Sequence, residues 1–99
     1  MILTAKIDIS WMKQLILKNL WHYQKKHHPQ NREKRWTFML GEQHPQYANF
    51  TKALFVLIAD GFVGIAPNNG QCFLTDEGYD YCEANNLTLL PDESFFEDY

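Results

Sequence analysis

Residues 54–81, LFVLIADGFVGIAPNNGQCFLTDEGYDY, contain the signals that decide the fold. A helical apolar pattern ends at Gly61, a residue that tolerates the left-handed backbone often found just after a helix. The short apolar stretches 62–66 and 71–74 are separated by residues 67–70, Pro-Asn-Asn-Gly, in which Asn-Gly readily adopts positive φ. This arrangement predicts a β-hairpin.

The pattern predicts a helix on each side of the hairpin. Thr75 is a natural N-cap, and Asp76 and Glu77 complement the helix dipole in the first turn, so a short helix is expected over 76–85. Upstream, residues 46–60 have helical periodicity. The predicted inner face of this upstream helix consists of Tyr47, Phe50, Leu54, Leu57 and Ile58.

The apolar residues from Ile9 to His28 recur at a helical period and predict a long first helix that Pro29 ends. The centre of its predicted buried face is formed by Met12, Ile16, Leu20 and Tyr23. Leu17 and Trp21 lie four residues apart among polar residues, outside this pattern. They are expected either to contact a partner or second subunit, or to cover the chain's own C-terminal segment.

The segment 35–40, RWTFML, is ambiguous between a helical turn and a strand. We favour a short helix that ends at Gly41. A second segment then begins at His44-Pro45, where Pro45 suits the first turn of a helix.

The composition is that of one globular domain, because 99 residues of which 45% are hydrophobic and 21% charged cannot form a multidomain enzyme. The longest apolar run, 53–59, is far too short to cross a membrane. Residues 1–10 lack an apolar signal core, which predicts a cytoplasmic protein. We expect a domain over 1–86 and an acidic aromatic tail over 87–99.

The sequence contains no motif for catalysis. Its two serines have no nucleophile setting, and no glycine-rich phosphate loop, paired-cysteine motif or histidine pair with ligand spacing occurs. Cys72 and Cys82 are interpreted as reduced packing residues. We therefore expect no enzyme activity, no metal and no cofactor.

The net charge of −3 conceals two halves of opposite sign. Residues 1–39 contain eight Lys or Arg against two acids, whereas residues 40–99 contain Lys52 as their only Lys or Arg against ten acids. Five of the cations fall in 25–35, KKHHPQNREKR, whose middle is expected to be a loop. Such asymmetry indicates an interaction surface or an acidic tail.

Two runs resemble the MarR- and PadR-like regulators, which have a winged helix-turn-helix fold. They are Leu54-x-x-Leu57-Ile58-Ala59-Asp60-Gly61-Phe62-Val63 and Gly70-x-x-Phe73-Leu74-Thr75-Asp76-Glu77-Gly78-x-x-Tyr81. They are similar to the end of the recognition helix, the wing and the next helix of that family, and the resemblance covers about residues 44–86. It implies an α+β, mostly α fold: a winged helix-turn-helix with a long first helix, a two-stranded wing and an acidic C-terminal tail.

The first functional hypothesis is a DNA-binding transcriptional regulator that acts as a homodimer. The resemblance places Gln46, Ala48, Asn49 and Lys52 on the recognition-helix surface, and the basic loop could lie near phosphates. The candidate nucleic-acid contacts are Lys25, Lys26, Arg32, Lys34, Arg35, Gln46, Asn49, Lys52, Asn68, Asn69 and Gln71. Leu17 and Trp21 would form the dimer contact.

The second hypothesis is a protein-interaction module or inhibitor, of the kind carried by phages and mobile elements, that has lost its DNA surface. It is based on the acidic second half and on the apolar residues predicted on outer surfaces. The candidate partner contacts are Leu17, Trp21, Phe55, Val56, Phe95 and Phe96. An alternative for the tail is that its aromatic residues fold back on the domain, over Leu17 and Trp21.

Overall fold

The computed structural model describes residues 9–99. Within them the chain is mostly helical and also contains one two-stranded antiparallel sheet, which confirms the α+β class. The elements in chain order are α1 (Ser10–His27), α2 (Tyr47–Ala59), β1 (Val63–Ile65), β2 (Cys72–Leu74), α3 (Asp76–Asn85) and a short 3-10 turn (Pro91–Glu93).

The predicted hairpin is confirmed. Val63 lies opposite Leu74, and Ile65 lies opposite Cys72. Gly70 in the turn has a φ of 71°. This left-handed conformation costs little only when no Cβ is present.

Thr75 caps α3 as predicted and also connects both ends of the hairpin. Its side-chain oxygen accepts a hydrogen bond from the Gly78 N–H at 3.0 Å. The same hydroxyl donates to the Gly61 carbonyl oxygen at 2.6 Å. The Thr75 N–H donates to the Phe62 carbonyl at 3.1 Å. These three bonds fix the direction in which α3 leaves the sheet.

The core lies where α1 packs across α2 and the hairpin. The predicted face of α1 is confirmed, because Met12, Ile16, Leu20 and Tyr23 are fully buried. From α2 the core receives Phe50, Ala53, Leu54 and Leu57, and from the sheet Val63, Cys72 and Leu74. Of the predicted inner face of α2, Tyr47 and Ile58 are only half-buried.

The predicted short helix over 35–40 is wrong, since this segment is extended. The Phe38 N–H donates to the Cys72 carbonyl at 3.1 Å, and the Cys72 N–H donates to the Phe38 carbonyl at 2.9 Å. Phe38 thus forms a β-bridge beside β2 with its side chain buried. Pairing with the sheet satisfies both backbone groups of this buried residue, and it prevails over a short run without clear periodicity.

Pro45 does not begin a helix either. Residues 42–46 form turns, and α2 starts at Tyr47. The His44 Nδ1 accepts a hydrogen bond from the Gln46 N–H at 3.0 Å. The side chain of His44 therefore replaces a helical backbone acceptor at this point.

Candidate functional site

The arginines of the basic loop are paired with the acidic residues of α3. Arg32 Nη2 lies 2.6 Å from Asp80 Oδ1, and its guanidinium carbon lies 3.8 Å from the centre of the Tyr79 ring. Arg35 Nη2 lies 2.6 Å from Asp76 Oδ1, and its Nη1 donates to the Leu74 carbonyl at 2.9 Å. Both arginines hold the loop against the fold, so a phosphate would have to compete with an internal carboxylate.

The three lysines near the loop differ in their surroundings. Lys25 Nζ lies 3.4 Å from the centre of the Trp21 ring. Lys26 Nζ lies 3.8 Å from Asp98 Oδ2, and it also donates to the Asp98 backbone oxygen. Lys34 is exposed and forms no ion pair within residues 9–99. The five cations of the predicted basic patch thus lie in four separate environments: beside α3, on the Trp21 ring, beside Asp98 and in solvent.

The two oppositely charged halves of the sequence meet each other within the fold. Each ion pair between an acid and a Lys or Arg in the described chain joins a cation of residues 9–39 to an acid of residues 40–99. These pairs are Lys18–Glu93, Lys26–Asp98, Arg32–Asp80 and Arg35–Asp76. The charge asymmetry therefore contributes to internal docking.

The buried amide of Gln24 holds the loop from beneath, a role that the sequence analysis missed. Its Nε2 donates to the carbonyls of Lys34 at 2.7 Å and Asn31 at 3.3 Å, and its Oε1 accepts from the Trp36 N–H at 2.9 Å. Gln24 extends the i+4 row that contains Met12, and a polar residue in that buried row is the signal that could have identified it.

The outer face of α2 is mostly apolar. We define it as the exposed stripe Ala48, Lys52, Phe55 and Ala59. Phe55 is 71% exposed, the most exposed large hydrophobic residue in the described chain. Val56, predicted beside it, is half-buried. Lys52 is the only cation on this face, and Asn49 donates to Gln46 Oε1 at 3.4 Å.

Two of the three predicted wing residues form hydrogen bonds within the fold. Asn69 Nδ2 donates to Thr37 Oγ1 at 3.3 Å, and Asn69 Oδ1 accepts from the Gln71 N–H at 2.9 Å. Gln71 Oε1 accepts from the Thr37 hydroxyl at 2.8 Å. Asn68 is exposed at the turn without a hydrogen bond to the described residues. Of the three predicted wing residues, only Asn68 therefore has its side chain free to contact the edge of a DNA base.

Leu17 and Trp21, predicted as a dimer or partner contact, are instead buried in the chain's own core with 2% and 6% exposure. Cys82 on α3 covers Leu17, with its Sγ 3.8 Å from the Leu17 carbonyl. Leu17 and Trp21 lie outside the predicted buried face because α1 buries a second face against α3.

Phe95 and Phe96 also differ from their prediction as partner contacts, since the tail folds back on the domain. The Phe96 ring packs edge-on against the rings of Tyr23, Trp36 and Phe38 at centroid distances of 5.3 to 5.4 Å. Phe95 lies 5.8 Å from Phe38. The alternative of a folded-back tail is confirmed, and its two phenylalanines lie over this aromatic cluster.

The side chain of Asn19 positions the tail, although it lies on a helix face that the sequence predicts as apolar. Its Nδ2 donates to the Glu93 carbonyl at 3.2 Å, and its Oδ1 accepts from the Phe95 N–H at 3.0 Å. Beside it, the Tyr23 hydroxyl lies 2.6 Å from Ser94 Oγ. One fully buried amide therefore satisfies two backbone groups of the tail.

Burial makes both thiols poor nucleophiles. It raises the pKa of Cys72 to about 12 and that of Cys82 to about 12. A thiol with such a pKa is almost entirely protonated at neutral pH. Among residues 9–99 no group of three or more His, Cys, Asp and Glu is arranged to hold a metal ion.

Acid is expected to destabilise the fold by weakening the Arg35–Asp76 and Lys18–Glu93 ion pairs. The Arg35 guanidinium holds the pKa of Asp76 below its ordinary value of 3.8. The Leu90 N–H, followed by Lys18, holds the pKa of Glu93 below 4.5. Because both folded pKa values are depressed, their stabilising effect is fully present above the ordinary values and is lost as pH falls through the folded ones.

Urea unfolding measured at about pH 7 and about pH 3 should therefore give a lower free energy of unfolding in acid. The double variant Asp76→Asn, Glu93→Gln should depend less steeply on pH over the same range. Equal slopes for the variant and the wild type would contradict this assignment.

Within residues 9–99, none of the helices is both long and apolar enough to cross a membrane. Comparisons with models of protein families, with curated proteins and with solved structures found no match to this chain.

Proposed function

We propose that this chain is a winged-helix module that binds a basic partner protein through the outer face of α2. The arrangement supports the winged-helix assignment. The hairpin follows α2 directly, Phe38 adds a third extended segment beside β2, and α3 begins at a capped Thr75. The function itself must be argued from the surface, because one fold supports many activities.

The exposure of Phe55 is the observation that carries the proposal. Phe55 lies at the centre of an outer face that otherwise consists of two alanines and one lysine. Burying such a side chain in a partner pocket is worth about 1.5 to 3 kcal/mol. Exposed aromatic side chains with small neighbours are typical anchors of protein interfaces, whereas DNA-binding helices present cations.

The charges that remain after internal pairing determine the kind of partner. In the described chain, carboxylates without an ion pair outnumber such lysines and arginines. The carboxylates are Glu33, Glu42, Asp60, Glu77, Glu83, Asp92 and Glu97, and the cations are Lys13, Lys25, Lys34 and Lys52. This excess of unpaired carboxylates favours a basic partner over nucleic acid.

Binding to DNA is the other outcome that the test must distinguish. Lys52 and Asn49 on α2 and Asn68 at the hairpin turn could contact a duplex, but one lysine on α2 supplies little phosphate affinity. Gel shifts with mixed duplex fragments at low salt should show no complex. Salt-dependent binding that Lys52→Ala weakens would overturn the proposal in favour of a DNA-binding regulator.

Substituting Phe55 with alanine is expected to weaken partner binding at least tenfold without lowering the free energy of unfolding, since Phe55 contributes little to the core. A photo-crosslinking phenylalanine analogue at position 55 would first identify the partner in cells. Purified partner would then be titrated with each variant by calorimetry.

Ile65→Ala on β1 is the matched control, because Ile65 is also exposed but lies on the hairpin. The proposal requires a basic partner, affinity that falls with added salt, and loss of binding in Phe55→Ala alone. Equal affinity of both variants, or a crosslinked partner without a basic surface, would overturn it.

A further inference from the structure

The tail lies on α1 in the manner of a bound peptide. Each hydrogen bond that the described structure places between residues 93–99 and α1 uses a side chain of α1. The α1 residues that form these bonds are Lys18, Asn19, His22, Tyr23 and Lys26. Their partners on the tail include backbone groups of four residues. We call the α1 surface formed by these side chains the groove, and its contacts do not depend on which chain supplies the segment.

The groove recognises both charge and shape. Lys18 Nζ lies 3.0 Å from Glu93 Oε2 at one end, and Lys26 faces Asp98 at the other. Between them Phe96 fits edge-on into the aromatic cluster described above. The site therefore fits a segment with an acid, an adjacent phenylalanine pair and a second acid. The chain itself contains this segment.

The tail, residues 87–99, also has a hydrogen bond within itself. The Tyr99 hydroxyl donates to the Leu89 carbonyl at 2.6 Å, so the two ends of the segment are joined to each other. The connection begins at Asn86, the only non-glycine residue of 9–99 with positive φ, at 49°. Asn86 caps the C-terminus of α3 in the left-handed conformation, and an exchanged segment would diverge from the chain's own fold at this point.

We propose that the groove accepts the tail of a second copy, so that two chains exchange residues 87–99 and form a two-fold dimer. All contacts of the tail can be the same in both forms, so the equilibrium depends on concentration and on the connection at Asn86. A short covalent link gives the chain's own tail an effective concentration on the order of millimolar. The monomer therefore dominates in dilute solution. The exchanged dimer dominates when the contact between a chain's groove and its own tail is weakened.

This inference is independent of the proposed function, because the outer face of α2 does not contribute to the groove. It also places a homodimer contact on the side of α1 that the tail covers, where Lys18 and Lys26 lie, and not at Leu17 and Trp21.

Reversing the two ion pairs tests the exchange in chains that contain all 99 residues. The groove variant carries Lys18→Glu and Lys26→Glu, and the tail variant carries Glu93→Lys and Asp98→Lys. Each variant alone places like charges together whether its own tail or that of an identical copy binds. In an equimolar mixture, an exchanged heterodimer joins the groove of each variant to the tail of the other, so that the facing charges are opposite at both contacts. Light scattering should therefore show the mass doubling only in the mixture, and high salt should reverse it.

The matched control combines all four substitutions in one chain, which restores both pairs within the monomer. This control should remain monomeric, with the tryptophan fluorescence of the wild type. Should a single variant fail to fold alone, co-expression of the two should yield a folded heterodimer. The proposal is overturned if the mixture keeps the mass of a monomer, or if co-expressed chains do not purify together, while the control folds.

Discussion

The Gly78→Ala variant is expected to lose about 3 kcal/mol of unfolding free energy, although the same change in an open helix usually stabilises by about 0.5 to 1 kcal/mol. An added Cβ at Gly78 would lie 2.1 Å from the Phe62 carbonyl oxygen and 2.8 Å from Leu74 Cδ1. The oxygen belongs to the backbone, and it already accepts the Thr75 N–H. The helix could relieve this overlap only by moving away from the sheet.

Urea denaturation of Gly78→Ala and Gly41→Ala would measure the difference. A Cβ added at Gly41 would meet no heavy atom within 4 Å, and Gly41 does not have a left-handed φ. Its substitution should therefore change the free energy of unfolding by less than about 1 kcal/mol. A Gly78→Ala protein as stable as the wild type would show that α3 does not approach the hairpin this closely.

The Gln24→Met variant is expected to lose about 3 kcal/mol, because it keeps the size of the side chain but leaves buried groups without partners. Gln24 is 1% exposed, and its amide bonds backbone groups of Asn31, Lys34 and Trp36. Methionine can replace none of these bonds. The loop should then detach from α1, and the ion pairs of its two arginines with α3 should weaken with it.

Gln14→Met on the same helix is the matched control, since Gln14 is only half-buried and forms no side-chain hydrogen bond within the described residues. Hydrogen exchange should show faster exchange of the Trp36 N–H in Gln24→Met and unchanged rates in Gln14→Met. Similar losses of stability in both variants would show that the amide of Gln24 has no special role.

The elements around the hairpin could be predicted because their signals are local. The Asn-Gly turn, the threonine cap and the apolar period each act over a few residues. The bounds of α2 were accordingly correct to one residue at each end, and those of α3 matched in full. Position 78 requires glycine because α3 approaches the Phe62 carbonyl too closely there to leave room for a Cβ.

The segment 35–40 could not be assigned in this way. Its six residues fit both a helical turn and a strand, and only the pairing of Phe38 with Cys72, thirty-four residues away, decides between them. Leu17 and Trp21 could not be assigned to a partner or to the chain's own fold for a related reason. A helical period identifies one buried face, whereas α1 is covered on two sides.

For the candidate sites, the sequence predicted which residues are unusual but not where they point. It identified Phe55 as an apolar residue on an outer surface, which the structure bears out, and it identified the basic loop and the acidic tail. It did not predict that Arg32 and Arg35 are paired with α3, or that Asn19 holds the tail. These contacts join residues that are distant in the chain, and no periodicity encodes them.

The sequence by itself therefore determined the helices, the hairpin and the opposite charges of the two halves, because hydrogen bonding and apolar period operate between near neighbours. Only the tertiary structure decided that four ion pairs join the two halves, that the tail packs on α1, and that Phe55 remains uncovered. Local sequence patterns do not specify which distant residues pack together. Tertiary packing specifies them, because the free energy of burial depends on which surfaces meet.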